Sequence, residues 1–151
     1  MAFVIDATLD IEAPAELVWS VITDFPRYGE WNPFLRDCKT TLKPGDPIDL
    51  QVMLFGAAPR PQREWMRTHT PGKEFSYNMK PAPLGALRSG RSHTVTPLGP
   101  NRCRYDSHFE LAGWLQPLVR GLLGAKLEQG FAGMTAGIKS RAEALRQSRP
   151  D

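Results

Sequence analysis

Hydrophobic and polar residues alternate along most of the chain up to Ala112, in short runs separated by turn residues. In the runs 48–54 and 75–79, apolar residues occupy every second position. Such a period is typical of strands with one buried face. The whole set predicts seven strands, at 4–11, 35–42, 48–54, 62–69, 75–79, 88–97 and 102–112. Turn signals between them, for example at 43–46, predict antiparallel hairpins.

Two segments follow a helical period of three to four residues instead. Behind Pro14, the apolar residues of 15–23 predict a short helix. The next segment, 25–34, combines four aromatic residues with two prolines and a glycine, so we expect at most one helical turn there. Towards the C-terminus, one apolar stripe predicts a long helix that packs on the sheet; it consists of Leu123, Leu127, Phe131, Met134, Ile138, Ala142 and Leu145.

Seven antiparallel strands with helices at both ends predict an α+β fold. A length of 151 residues suits one domain, which we assign to 1–146, and we expect 147–151 to be a frayed tail. The sequence shows no signal peptide and no apolar run of membrane-spanning length, so we expect a cytoplasmic protein without a membrane span. A homodimer is left open.

Charge and motifs narrow the function classes. The net charge of +3 is modest, and the arginines are dispersed without a helix-turn-helix or aromatic-basic motif, which disfavours a nucleic-acid partner. Nucleotide-binding glycine motifs and a nucleophile elbow are missing from the sequence, so we expect no cofactor and no Ser-His-Asp hydrolysis. Cys38 and Cys103 lack a C-x-x-C partner and predict buried free thiols rather than a disulfide or a zinc site.

The segment 11–34 also carries a family resemblance. Its string I-x-A-P-x-E-x-V-W-x-x-I-x-D-F-x-x-Y-x-x-W-N-P-F resembles the opening of the SRPBCC superfamily, which includes START-related lipid-transfer, pollen-allergen-like and polyketide cyclase/dehydrase proteins. The segments 109–118 and 130–145 are similar to the last strand and the C-terminal helix of that superfamily. The resemblance implies a helix-grip fold: a curved seven-stranded antiparallel sheet wraps around a long C-terminal helix, two short helices follow the first strand, and a cavity lies between sheet and helix.

Strand 88–97 supplies the polar candidates for such a cavity. If Val95 faces inward, His93 and Arg91 do too, because side chains alternate along a strand. They would then place a fixed cation and a group that titrates near neutrality against an apolar interior, paired with Glu64, a tyrosine or a ligand. In the alternative, Arg91 reaches water at the open end of the strand and His93 is a satisfied core histidine.

The sequence of strand 62–69 does not show which of its two faces points inward. One arrangement turns Glu64 and Met66 inward, and the other turns Trp65 and His69 inward. We favour Trp65 as a cavity aromatic.

Two tyrosines, Tyr77 and Tyr105, fall on the apolar sides of their strands. A buried phenol needs a hydrogen-bond partner, which is either a polar atom of a ligand or a strand carbonyl. On strand 102–112 the opposite face carries Asp106, His108 and Glu110, and we expect this face to be solvated rather than to bind a metal ion.

Three glycines, Gly130, Gly133 and Gly137, run beside the apolar stripe of the long helix. Each costs on the order of 1 kcal/mol relative to alanine inside a helix. Two explanations stay open: a close approach of helix and sheet, or missing side chains that leave room for a ligand.

Together these considerations give ten candidate ligand-binding residues: Trp31, Phe34, Trp65, Tyr77, Arg91, His93, Tyr105, Leu127, Phe131 and Met134. The main hypothesis is a protein that binds a hydrophobic or amphipathic small molecule, such as a lipid, a polyketide or an isoprenoid-like compound. The resemblance also implies a cyclase or dehydratase, in which Arg91 or Tyr77 would polarise a carbonyl and His93 would move a proton. A third possibility is a protein-interaction or quinone-binding module.

Overall fold

The described part of the chain, residues 2–56 and 58–149 of this computed structural model, contains one antiparallel sheet. Its strands are β1 (Phe3–Ile11), β2 (Leu35–Thr40), β3 (Pro47–Val52), β4 (Arg60–Thr70), β5 (Glu74–Asn78), β6 (Arg88–Gly99) and β7 (Arg102–Ala112). In space they follow the order β1-β7-β6-β5-β4-β3-β2. The chain therefore runs through consecutive hairpins from β2 to β7, and β7 pairs with β1.

Helices cover one face of this sheet. Helix α1 (Ala15–Thr23) follows β1, and the 3-10 helix Phe25–Glu30 comes directly after it. The 3-10 helix has six residues, or about two turns, where the sequence predicted one turn at most. A short 3-10 turn, Pro83–Gly85, precedes β6, and α2 (Gln116–Ser148) closes the chain. This arrangement confirms the predicted α+β helix-grip fold with two short helices after the first strand.

Helix α2 packs its apolar stripe against the inner face of the sheet. Met134, Ile138 and Ala142 are completely buried and belong to the same core as residues of α1 and the strands. The helix continues through Gln147 and Ser148, so the predicted tail is helical at its first two positions. Positions 150 and 151 of that tail lie outside the described residues.

A β-bulge in β4 changes which of its side chains face α2. The register with β5 shifts between Met66 and Thr68, which leaves Arg67 as the extra residue. Met66, before the bulge, is buried. After the bulge, His69 also turns inward, where its ring stacks on Trp19 with 6.0 Å between the ring centroids.

Each predicted arrangement of β4 is therefore correct for only part of the strand. Glu64 and Met66 point to the inner face before the bulge, and His69 does so after it. Trp65 lies between two inward residues and so points to the outer face. The prediction that Trp65 is a cavity aromatic is wrong, because alternation in this part of the strand follows Met66.

The glycines of α2 make room for the loop that follows the 3-10 helix. A Cβ on Gly130 would overlap the Phe34 ring, and a Cβ on Gly137 would lie 2.8 Å from the carbonyl oxygen of Trp31. The close approach is thus between the helix and the loop 31–34, rather than between helix and sheet. These glycines accommodate protein atoms and do not enlarge the cavity.

The two faces of β7 and the two cysteines are arranged as the sequence predicted. Tyr105 and Ser107 are buried on the inner side of β7, while His108 lies on the outer side and contacts Asp6 of β1. Both cysteines are free and buried. Burial raises the pKa of the Cys103 thiol to about 11, so it is not a reactive thiolate at neutral pH.

Candidate ligand-binding cavity

A cavity of about 350 Å³ lies between the inner face of the sheet and the first half of α2. Most of its wall is apolar and comes from aliphatic and aromatic side chains of β3, β7 and α2. Five polar side chains also reach it: Gln62, Glu64, Tyr77, Ser89 and Arg91. An apolar chamber with a few convergent polar groups is the usual form of a small-molecule site.

Arg91 is the cation of this cavity, and only 3% of the residue is exposed. Its Nη1 donates hydrogen bonds to the Ser107 hydroxyl at 2.5 Å and to the His108 carbonyl oxygen at 3.2 Å. Its Nη2 lies 3.7 Å from the Met134 sulfur, and the guanidinium carbon lies 4.6 Å from the centre of the Phe131 ring. All of these partners are neutral, and they anchor the guanidinium without balancing its charge.

The Nε of Arg91 is buried and has no hydrogen-bond partner in the described structure. No carboxylate of residues 2–56 or 58–149 forms an ion pair with the guanidinium. The predicted pairing with Glu64 is therefore not formed, and neither does Arg91 escape to water at the strand end. A buried, fixed cation remains at the wall of an apolar cavity, where it favours a ligand oxygen.

Glu64 reaches the same cavity from β4. Its Oε2 accepts a hydrogen bond from Gln62 Nε2 at 3.0 Å. Burial raises the pKa of Glu64 above its ordinary value, and this effect outweighs the lowering by the Gln62 hydrogen bond and by the charge of Arg91. A carboxyl in this state takes up a proton more readily than in water, so it can donate a hydrogen bond to a ligand as well as accept one.

Tyr77 is the third polar group of the wall. The residue is buried, and burial raises the pKa of its phenol, so the hydroxyl stays protonated. Its hydroxyl makes no hydrogen bond with any of the described residues, although the side chain lines the cavity. The phenol is thus available to donate to a ligand oxygen.

His93 and Tyr105 lie behind the cavity wall, in the core. His93 Nδ1 and the Tyr105 hydroxyl are hydrogen-bonded at 2.5 Å, and the imidazole stacks on Phe75 with 4.6 Å between ring centroids. Burial, with a smaller contribution from Arg91, lowers the pKa of His93 well below its ordinary value. His93 is therefore a neutral, satisfied core histidine, which is the second of the two alternatives that the sequence left open. Its assignment as a ligand-binding residue is wrong, because its Nδ1 is hydrogen-bonded to the phenol of Tyr105.

The structure brings half of the ten predicted ligand residues to the cavity. The five that line it are Phe34, Tyr77, Arg91, Leu127 and Phe131. The five that do not are Trp31, Trp65, His93, Tyr105 and Met134. Of these, Met134 contacts the Arg91 guanidinium through its sulfur, and Trp31 packs on Tyr28 with 5.1 Å between ring centroids.

The loop 31–34 reaches the cavity through Phe34 alone. The buried Asn32 Oδ1 accepts hydrogen bonds from the backbone N–H groups of Phe34 and Leu35, at 3.0 and 2.9 Å. This turn directs Phe34 toward Phe131, with 5.0 Å between the ring centroids. The aromatic cluster predicted as a cavity mouth thus contributes one ring to the wall, while Trp31 secures the loop to the 3-10 helix and α2.

Several residues of the cavity wall were not among the ten predicted ligand-binding residues. Val119 and Leu123, at the start of the apolar stripe of α2, both line the cavity. The stripe identified in the sequence begins at Leu123, although Val119 continues the same four-residue spacing. Gln62 lines the cavity because it lies two residues before Glu64 on β4. Once the inward face of that strand is known, alternation alone identifies it.

A family model described as "Polyketide cyclase / dehydrase and lipid transport" matches residues 2–143. The chain belongs to this family. The match covers both the strands that build the cavity and most of α2, in agreement with the SRPBCC resemblance of the sequence. No protein among curated sequences is detectably similar to the chain.

Solved structures share the fold of this family member at low sequence identity. An aromatase/cyclase, Zhui, from a Streptomyces species superposes with a TM-score of 0.77 at 16% identity, covering 99% of this chain and 97% of that one. A START superfamily protein from Mycobacterium smegmatis gives a TM-score of 0.70 at 19% identity, with coverages of 94% and 98%. Norcoclaurine synthase from Thalictrum flavum, in complex with dopamine and hydroxybenzaldehyde, gives 0.70 at 16% identity, with coverages of 100% and 90%.

None of the helices in the described ranges is long and apolar enough to cross a membrane. Across the same residues, no group of three or more His, Cys, Asp or Glu side chains is arranged to hold a metal ion.

Proposed function

We propose that this protein binds one amphipathic small molecule in the cavity between the sheet and α2. The apolar body of the ligand packs on Leu123 and Leu127, and an oxygen-bearing group of the ligand contacts Arg91. The observation that carries the proposal is the buried Arg91 guanidinium, whose partners in the described structure are all neutral. A buried cation is costly unless it is compensated, and a carboxylate, enolate or carbonyl oxygen compensates it.

The wall chemistry favours a ligand with a ring-bearing body and a carbonyl, enol or carboxylate end. The rings of Phe109 and Phe131 lie near Arg91, tilted by 33° to each other with 4.7 Å between their centroids, and offer apolar surfaces beside the cation. Tyr77 can donate a hydrogen bond to the same oxygen-bearing end, and so can the Glu64 carboxyl when it carries the proton that its raised pKa favours. Relatives of this fold include an aromatase/cyclase and a synthase that was solved with two aromatic compounds, which supports ring-bearing ligands.

A fluorescent probe tests this proposal without knowledge of the natural ligand. 1-Anilinonaphthalene-8-sulfonate combines an apolar ring system with one anionic group, and we expect it to bind one-to-one with a fluorescence increase. Arg91→Met keeps the length of the side chain and removes its charge. The affinity should fall about tenfold or more, because a charged hydrogen bond contributes roughly 1.5–3 kcal/mol in such a site. Arg67→Met, at the exposed bulge, is the matched control and should leave the affinity unchanged.

A second variant checks that the probe occupies this cavity. Leu123→Trp enlarges a wall residue into the empty space, and the protein should remain folded while probe binding is lost. A thermal melt verifies folding of each variant. Equal affinities in the Arg91 and Arg67 variants, or full binding by Leu123→Trp, would contradict the proposal.

A cyclase or dehydratase activity is the second candidate, and the shared location of Arg91, Tyr77 and Glu64 favours it. The Glu64 carboxylate would take the α-proton of a β-hydroxyketone, while Arg91 and Tyr77 stabilise the enolate oxygen that forms. Glu64, whose pKa is raised by burial, would then give this proton to the β-hydroxyl, which leaves as water as the C=C bond forms. Glu64 thereby takes the role that His93 had in the cyclase or dehydratase implied by the resemblance. The test is incubation with a ring-bearing β-hydroxyketone and detection by mass of the loss of one water. Glu64→Gln should abolish that loss and retain probe binding.

A further inference from the structure

One end of the molecule presents a cluster of exposed apolar side chains that the proposed function does not use. Leu84 is 92% exposed, Trp114 65%, Leu118 59% and Leu122 70%. We call these four residues the apolar tip. Leu84 comes from the 3-10 turn before β6, and Trp114 lies two residues before α2. Leu118 and Leu122 lie in the first two turns of α2 and continue from Trp114 at a spacing of four residues.

The apolar tip is held in place by backbone contacts. The Trp114 indole Nε1 donates a hydrogen bond to the Leu84 carbonyl oxygen at 3.0 Å, and the Leu115 N–H donates to the Ala86 carbonyl oxygen at 2.9 Å. Leu84 itself has a φ of 59°, a left-handed conformation that is uncommon for a bulky residue. The turn therefore projects the Leu84 side chain into solvent from a fixed support.

The two segments that carry the apolar tip have an excess of positive charge. The segments 79–90 and 111–127, which build this end of the molecule, contain no Asp or Glu. They contain four exposed cations: Lys80, Arg88, Arg120 and Lys126. The nearest acidic side chain in the sheet is Glu110, whose carboxylate packs beside Gly90. An exposed apolar cluster with an excess of cations around it is complementary to a surface that is apolar inside and anionic at its edge.

We propose that the apolar tip docks on an anionic lipid membrane, with Leu84 and Leu122 among the acyl chains and the cations at the headgroups. A second copy of this chain fits less well, because a symmetric contact through the same patch would bring the two sets of cations together. The docking surface lies next to the cavity: Leu87, between Leu84 and β6, and Leu123, beside Leu122, both line it. A docked molecule would therefore hold that end of its cavity against the lipid phase.

Sedimentation with vesicles tests this proposal on the whole chain. The probe is phosphatidylcholine containing about one third phosphatidylglycerol, compared with phosphatidylcholine alone. We expect binding to the anionic vesicles that falls steeply as the salt concentration rises, and about tenfold or more weaker binding by Leu84→Ser/Leu122→Ser. Both side chains are mostly exposed, so their replacement should not affect folding.

Leu98→Ser is the matched control. Leu98 is also an exposed leucine, but it lies near the far end of β6, about ten residues beyond Arg88 and so roughly 33 Å from that residue along the strand. This variant should bind the anionic vesicles like the unchanged protein. The emission of Trp114 should shift to shorter wavelength on binding, and the shift should vanish in Trp114→Phe.

Three results would overturn the membrane proposal. They are absence of binding to the anionic vesicles, an equal loss of binding by Leu98→Ser, or a concentration-dependent dimer that the Leu84→Ser/Leu122→Ser change dissolves. Binding of the sulfonate probe to the cavity is measured separately in the same variants. It should be unchanged, so failure of the docking proposal and failure of the proposed function are distinguishable.

Discussion

Glu64 is the residue through which pH acts on the cavity. Because burial raises its folded-state pKa above the ordinary value of 4.5, the folded protein keeps this proton at pH values where the unfolded chain has lost it. The contribution of Glu64 to the free energy of unfolding should therefore fall as the pH rises above about 4.5. Glu64→Gln removes this loss, so the variant should gain stability over the unchanged protein as the pH is raised, with the two converging below pH 4.

Urea unfolding at a series of pH values measures this difference. Glu128→Gln, an exposed substitution on α2, is the control and should follow the unchanged protein throughout. A Glu64→Gln variant whose advantage is the same at every pH would show that the buried carboxyl is not the cause.

A Tyr105 variant tests whether the His93–Tyr105 pair belongs to the core or to the cavity wall. Tyr105→Phe removes the hydroxyl that satisfies His93 Nδ1 and leaves a buried polar nitrogen unpaired, at a cost of about 1–3 kcal/mol in the free energy of unfolding. Neither residue lines the cavity, so the affinity for the sulfonate probe should not change. An affinity loss comparable to that of Arg91→Met would instead show that the His93–Tyr105 pair contacts the ligand.

At the scale of elements, α2 depends on its glycines where the loop 31–34 crosses it. Gly130→Ala would improve helix propensity by about 1 kcal/mol, but its Cβ would overlap the Phe34 ring. Displacing a packed aromatic costs more, so we expect net destabilisation of about 1–2 kcal/mol. Gly121→Ala, in the same helix, has no atom within 4 Å of the new Cβ and should stabilise the protein by up to about 1 kcal/mol.

Thermal or urea unfolding of the two alanine variants measures this contrast. Opposite signs are expected for two identical substitutions in one helix. Stabilisation by both would mean that the loop 31–34 does not pack against α2 as described.

Across the whole molecule, local patterns were sufficient for the elements but not for the cavity wall. The seven strands and both α-helices follow from periodicities of two and of three to four residues, and the motif at 11–34 identified the fold. The inward face of β4 did not follow, because the bulge at Arg67 lets Met66 and His69 face the same side. A bulge depends on pairing with β5 and leaves no periodic signal in β4 itself.

The surroundings of the polar side chains inside the core could not be predicted from the sequence either. Strand alternation correctly predicted that the side chains of Arg91 and His93 point inward. It does not predict how deeply each of them is buried. The residues on the neighbouring strand decide whether an inward side chain reaches a cavity or is hydrogen-bonded within the core. Ser107 and Tyr105, one strand away, decide that Arg91 faces the cavity and that His93 does not.

The central claim is that the cavity between the sheet and α2 binds one amphipathic molecule. Native mass spectrometry of the protein as purified from cells, followed by denaturing extraction, tests it most directly. We expect one small molecule per chain, with an apolar body and an oxygen-bearing end, and its loss from Leu123→Trp. A chain that carries no small molecule and gains none on incubation with the sulfonate probe would contradict the account, as would equal retention of a ligand by the cavity-filled variant.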